Sequence, residues 1–310
     1  SAVARVWPTG FTPLDDILSG GVRAGELVLV GGPQGLGKTT FALQLLRNVA
    51  MGGGDAACFS YELDEANLLE RLLVQEAYDC AGAKAPTLRQ LRAHLEQSAP
   101  GRADDGLSGV LGPVPGMIVA QGALRRYGKR LSVHASSTRR TTAEVIRELV
   151  LDAVAAGRSP VVVVDYLQKV SVASTLGEDE RVTLVVEALK DLAIEAQVPV
   201  VAIVSATQAG IAPGHRLRVH ELRGSSALAY EADVILLFNE KHDIVAKHHL
   251  AYDPRSADRF RQVAVLSVEK NRTGRSDLHM EFRKEFEFCR FDPVGNLVEE
   301  QLVDGRLVAE

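Results

Sequence analysis

Apolar runs of five or six residues recur along the chain, and most are followed by stretches in which apolar residues return at helical spacing. Residues 26–31 read Glu-Leu-Val-Leu-Val-Gly, apolar on both faces like a strand inside a parallel sheet. Residues 41–50 follow as a helix. Further buried strands are predicted at 56–60, 160–165, 198–205, 233–238 and 263–268. Between them, Asp64 caps a helix bearing Leu68, Leu69, Leu72 and Leu73. A second helix covers 142–153, and a third covers 180–196 with Leu184, Val185, Ala188, Leu189 and Leu192 on one face. Alternation of this kind predicts an α/β fold: a mostly parallel sheet with helices on both faces. A polar turn at 270–277 is read as joining the 263–268 strand to a last strand at 286–291, an antiparallel hairpin on the sheet's edge. One segment breaks the rhythm. Residues 98–122 hold six glycines and three prolines and read as a mobile surface excursion, or else as a partner-binding one. Residues 1–310 are otherwise read as a single domain.

Composition narrows this picture. With 310 residues, 46% of them hydrophobic, the chain has ample material for a core. The net charge of −5 creates no general attraction for nucleic acid, so any such contact must come from a local basic strip. Cys58, Cys80 and Cys289 are odd in number and far apart, which argues against disulfides and a zinc site and suits the cytoplasm. No run reaches the roughly 20 apolar residues of a membrane span, and no signal peptide is visible, so no membrane partner is expected. The chain begins at Ser1 rather than Met, as an excised fragment or a chain with a tag scar would.

The strongest chemical signal lies between the first strand and helix. Gly32-Pro33-Gln34-Gly35-Leu36-Gly37-Lys38-Thr39, followed by Thr40, satisfies G-x-x-x-x-G-K-[ST] in the required strand–loop–helix context. Backbone N–H groups and the helix N-terminus would form an anion cradle. Lys38 would reach the β- and γ-phosphates of ATP, and the Thr39 hydroxyl would sit on Mg²⁺. Asp165 ends a buried strand at the same sheet edge, where its carboxylate can join the metal shell or merely cap a turn. Glu62 follows the neighbouring strand and can polarise a water. Asp64 and Glu65 are better explained as charges of the helix's first turn. Gln208, after the 198–205 strand, can sense the γ-phosphate or be an ordinary exposed glutamine.

Several ordered motifs carry a resemblance. The opening stretch from Thr9 to Gly21 looks like the start of RecA-type ATPase domains. Phe59-Ser-Tyr-Glu-Leu63, Val164-Asp-Tyr-Leu-Gln168, the run from Glu221 through Arg223 to Asp233, and Lys270-Asn-Arg272 are similar to the DnaB-type replicative helicase ATPase domain. The resemblance spans residues 8–292 and implies a RecA-like core working as a ring, usually hexameric, that translocates on single-stranded DNA and unwinds duplexes. It further implies that Lys270 and Arg272 act on the γ-phosphate held by an adjacent subunit; without it, they read as a solvated basic turn. Arg71 would lie near the adenine, or form a surface ion pair. Two loops, 169–180 and 209–227, would face the pore, and Arg216, Arg218, Arg223, Gly224 and Ser226 of the second would track DNA phosphates. A solvated basic surface is the plainer reading of that run. A loader or primase partner is implied as well. Two departures keep another branch in view. Arg223-Gly-Ser-Ser stands where the family usually has Arg-Glu-Ser-Gly, and the phosphate loop is spelled more like the RadA and KaiC branch, whose output is recombination or regulatory assembly.

Overall fold

The computed structural model describes residues 5–97, 106–172, 177–212, 214–224, 226–251 and 254–303. A small ribbon, β1 (Val6–Trp7) against β2 (Val22–Arg23), brackets a short helix α1 (Leu14–Ile17). It delivers Phe11 and Leu14, both fully buried, to the core. The phosphate-loop unit follows as β3 (Leu27–Gly31) and α2 (Lys38–Met51), then β4 (Asp55–Ser60) and α3 (Glu65–Ala81). Asp64 caps α3 as expected, its side chain accepting from the Asn67 N–H at 2.8 Å. Next come α4 (Leu88–Gln97), α5 (Gly106–Leu111), α6 (Met117–Tyr127) and β5 (Leu131–Ala135). The rest of the parallel layer is α7 (Ala143–Ala155), β6 (Pro160–Asp165), α8 (Glu178–Ala196), β7 (Val200–Val204), α9 (Ala227–Glu231) and β8 (Val234–Glu240). Short helices α10 (Lys241–Ile244), α11 (Lys247–Ala251) and α12 (Pro254–Arg261) lead to β9 (Val263–Asn271), β10 (Leu278–Glu285), β11 (Arg290–Phe291) and β12 (Asn296–Leu297).

Among the described residues the main sheet has ten strands, in the order β11-β10-β9-β8-β3-β7-β6-β4-β5, with β12 on β10. From β8 to β5 all pairings are parallel; β9 to β12 are antiparallel. Every residue of β3, β6 and β7 is buried, as continuous apolar runs require of strands covered on both faces. One core packs α2 and α3 on one face, with Phe41, Leu45, Leu46, Leu68 and Leu72; the other packs α7 and α8, with Ile146, Val150, Val185 and Leu189. This is the RecA-like arrangement that the motifs imply.

Three expectations change. The hairpin partner of β9 is β10 and not 286–291, which instead holds a short helical turn, Phe286–Phe288, and the two-residue β11. β10 reads Leu-His-Met-Glu-Phe-Arg-Lys-Glu, whose alternation buries Met280 and Phe282 and sets His279, Glu281 and Arg283 on the opposite face, the signature of a half-buried strand. β5, only partly buried, adds an edge strand beside β4. The 98–122 excursion is different again. Residues 98–105 lie outside the described residues, but 106–122 contains α5 and most of α6, not a loop. Leu111, Met117 and Ala120 are wholly buried against Leu73, Val74 and Ala77 of α3.

No helix among the described residues is long and apolar enough to cross a membrane. The three cysteines are free.

Candidate functional site

The carboxyl ends of β3, β4, β6 and β7 meet at one edge of the sheet, where parallel α/β folds place their ligands. The segments leaving them wall a cleft of about 480 Å³, lined by Gly32, Gln34, Gly35, Gly37, Lys38 and Thr39, with Glu62, Arg71, Asp165 and Phe286 facing them. Thr40 also lines it, although nearly buried. Leu36 differs from its neighbours: its side chain drops into the core, so only its backbone belongs to the loop. Pro33 does not line the cleft but contributes its carbonyl. Gly37 caps α2 at φ +83°, a left-handed conformation that favours glycine, and a Cβ there would lie 2.6 Å from the Phe286 ring.

The charged groups converge. Lys38 Nζ donates to the carbonyls of Gly32 and Pro33, each at 2.8 Å. Burial lowers its pKa from the usual lysine value, while the charges of Asp165 and Glu62 oppose that shift. The Thr39 hydroxyl donates to Asp165 Oδ2 at 2.6 Å, linking the start of α2 to the end of β6. Burial pushes the Asp165 carboxyl up to about 6; the Thr39 hydrogen bond pulls it down, Glu62 raises it, and Lys38 and Arg71 lower it. A buried carboxylate held by a hydroxyl, with a second carboxylate nearby, has the hard oxygen donors that suit a divalent cation.

Two polar atoms in the cleft also ask for a ligand. Arg71 Nε and Ser205 Oγ are buried and make no hydrogen bond among the described residues. Unsatisfied buried groups are rare in folded proteins, and a phosphate-bearing ligand would answer both. The residue set therefore fits a nucleotide with a hard cation.

Some expected residues are elsewhere. Gln208 sits on an exposed turn and does not line the cleft; Ser205, Ala206 and Ile211 of the same segment do. Lys270 and Arg272 lie at the opposite edge of the sheet. Asn271 pairs with Val234 at the start of β8, whereas Gly31, where the phosphate loop begins, pairs with Leu237 further along that strand. Arg216 is not a surface residue. Its side chain is 6% exposed and ion-paired with Glu269 at 3.1 Å, and Arg218 bonds the same carboxylate at 3.2 Å. The long stem of Arg216 is packed inward, so its guanidinium anchors the second loop and is not presented on the surface as the sequence suggests. Arg223 remains outside, 55% exposed and paired with Glu178. Gly224, at φ +115°, lets the chain pass Val182 of α8, whose side chain would lie 2.7 Å from a Cβ. Ser226 is exposed at the start of α9. In the first loop, residues 173–176 lie outside the described residues. The sequence missed Phe286 and Ser205. The position of Ser205 after a buried parallel strand, the logic that found Asp165, would have found it; nothing local marks Phe286.

Comparison with known proteins agrees with this fold. A family model described as the DnaB-like helicase C terminal domain matches residues 7–98 and 122–292. The replicative DNA helicase DnaB of Treponema pallidum (strain Nichols) is 29% identical over 234 residues, 74% of this chain and 47% of that protein. The chain spans about half the length of the curated relatives it matches. A solved ATPase domain superposes with a TM-score of 0.73 at 20% identity, covering 93% of this chain and 90% of that one. A DnaB-like replicative helicase, solved in a study that includes its interactions with primase, gives 0.72 at 19% identity, covering 94% of this chain and 64% of that one.

Proposed function

Because the chain belongs to the family of the DnaB-like helicase C-terminal domain, we propose that it is the Mg²⁺-dependent ATPase motor of a ring that moves along single-stranded DNA and separates duplexes. The observation that carries this reading is the division of labour across the sheet. A phosphate cleft with Lys38, Thr39, Glu62 and Asp165 lies at one edge, and the cations Lys270 and Arg272 lie at the other.

In this reading Lys38 exchanges its two carbonyl partners for β- and γ-phosphate oxygens. Thr39 and Asp165 hold Mg²⁺, which neutralises charge on the phosphates when bound. Glu62 orients the attacking water, and Arg71 and Ser205 satisfy their free atoms on the nucleotide. Lys270 and Arg272 come from the next subunit and meet the charge that spreads over the transferred phosphoryl group. Arg223, with the backbone around Gly224 and Ser226, follows a phosphate backbone without reading bases. A loader or primase belongs to the same proposal.

The deciding experiment is mass measurement with and without ATP and single-stranded DNA, followed by ATPase and fork-unwinding assays with a Lys38→Ala control. The expected result is an ATP-dependent ring whose ATPase rises with DNA and which unwinds. A monomer under every condition sinks the ring. Assembly and hydrolysis without unwinding would transfer the chain to the recombination or regulatory reading.

A further inference from the structure

The second basic loop is fastened to the end of β9 on both of its flanks. Ahead of Arg223, Arg216 Nη2 lies 3.1 Å from Glu269 Oε1, and Arg218 Nη1 lies 3.2 and 3.3 Å from the two carboxylate oxygens. The Glu269 side chain is 9% exposed. A buried, hydrogen-bonded ion pair is costly to break and keeps its geometry. Beyond Ser226, the loop runs straight into α9. There the Tyr230 carbonyl accepts from Arg272 Nη2 at 2.6 Å, and the Ala229 carbonyl accepts from Lys270 Nζ at 2.7 Å. Glu269, Lys270 and Arg272 are near neighbours at one strand end.

We propose that Glu269 is a positioning residue that couples the second basic loop to Lys270 and Arg272, so that a single strand engaging the loop moves both cations at the neighbouring subunit's phosphate. This rests on the ring-motor reading. Glu269 does not line the cleft and touches no nucleotide; it acts through the arginines. A DNA phosphate competes with Glu178 for the exposed Arg223, and the resulting shift of the loop reaches β9 through the Arg216–Glu269–Arg218 pairing and the α9 carbonyls. The two attachments make the loop and the cations a single element with a shared equilibrium, which is what coupling between sites requires.

The test titrates ATPase of the whole chain with an oligothymidine and separates the plateau stimulation from the half-saturating concentration. For Glu269→Gln, plateau stimulation falls about five- to tenfold, the low end of couplings between sites, while half-saturation stays within about twofold because Arg223 is intact. Glu269→Asp recovers part of the plateau. A merely structural role would lower the melting temperature and the unstimulated rate yet leave the stimulation ratio unchanged. If Glu269→Gln does not fold, Arg218→Ala serves instead, since the buried Arg216–Glu269 pair survives it; with one of the two links left, a smaller but definite drop in plateau is expected. An unchanged ratio in the folded variants overturns the coupling while leaving the motor in place. A wild-type chain whose ATPase ignores DNA overturns both.

Discussion

Replacing Arg272 by alanine tests whether the site is divided between subunits. Val28 of β3 faces Val234 of β8, and Val234 faces Asn271 of β9. The Arg272 N–H donates to the Asp233 carbonyl, and the Asp233 N–H donates to that of Leu27, so Arg272 is level with the start of β3. From Leu27 to Gly31 is four strand steps, about 13 Å at ~3.3 Å each, and the phosphate loop begins only there. The Arg272 guanidinium is itself held at that far end, by Asp233 at 3.2 Å and the Tyr230 carbonyl at 2.6 Å, so it points away from the cleft of its own subunit. A trans-acting arginine contributes about 10³–10⁵ in turnover, or roughly 4–7 kcal/mol of barrier. The fold should barely notice. The Arg272 side chain is 49% exposed, and its partner Asp233 keeps Lys190 and the Leu27 N–H. The lost pair is therefore worth at most about 1 kcal/mol. The assay mixes Arg272→Ala with Lys38→Ala, each expected to be nearly inactive alone. At equal amounts, about a quarter of the head-to-tail junctions join an intact loop to an intact arginine. Activity in the mixture above that of both parts identifies supply in trans; hydrolysis by Arg272→Ala at the wild-type rate refutes the divided site.

Other expectations follow from the same structure. Arg47 and Glu76 form a nearly buried two-point ion pair at 2.6 and 2.9 Å, with the Tyr127 hydroxyl donating to Glu76 at 2.8 Å. Because Arg47 keeps its second carboxylate partner, Asp79, Glu76→Ala should cost about 1–3 kcal/mol in urea unfolding; an unchanged unfolding midpoint would contradict the burial argument. Gly37→Ala puts a side chain into a left-handed cap and against Phe286. It should destabilise by at least about 1–2 kcal/mol and weaken binding of a fluorescent nucleotide, and unchanged affinity would count against the role given to that turn. Burial, then the charge of Arg216, lowers the His279 pKa below its usual 6.5. The unfolded chain therefore binds this proton first, so the contribution is fully present above pH 6.5 and fades as pH falls towards the folded value. In melts across that range, His279→Asn should lose less stability on acidification than wild type, and parallel curves would refute the assignment.

The legible parts of the fold and site were those set by local rules. Gly32 to Thr39 announced a phosphate cradle because loop geometry, the adjoining strand and the helix start are contiguous. Asp165 and Glu62 line the cleft because a residue just past a buried parallel strand falls at the ligand edge whatever the strand order. Arg216 was misread because its partner Glu269 is 53 residues away, and a basic run looks the same whether it faces solvent or a buried carboxylate. Gln208 failed for a subtler reason: the chain turns outward after Ser205 and Ala206, so three residues carry it out of the cleft. Phe286 gives no local signal, since its place beside Gly37 depends on β11 folding back onto β10. β10 was missed because its alternating charges hide a strand from a search for unbroken apolar runs.

Residues 106–121, the described part of the stretch between the two family-matched segments, bear on how this chain can be shortened. Leu111, Met117 and Ala120 fall in the unmatched residues 99–121, yet they complete the cover over Leu73, Val74 and Ala77 of α3. Trimming the chain back to the family outline would not yield a minimal domain. It would strip an apolar flank from the helix that carries Arg71, leaving an exposed apolar face. A shortened chain would need polar residues in place of Leu73, Val74 and Ala77 as well.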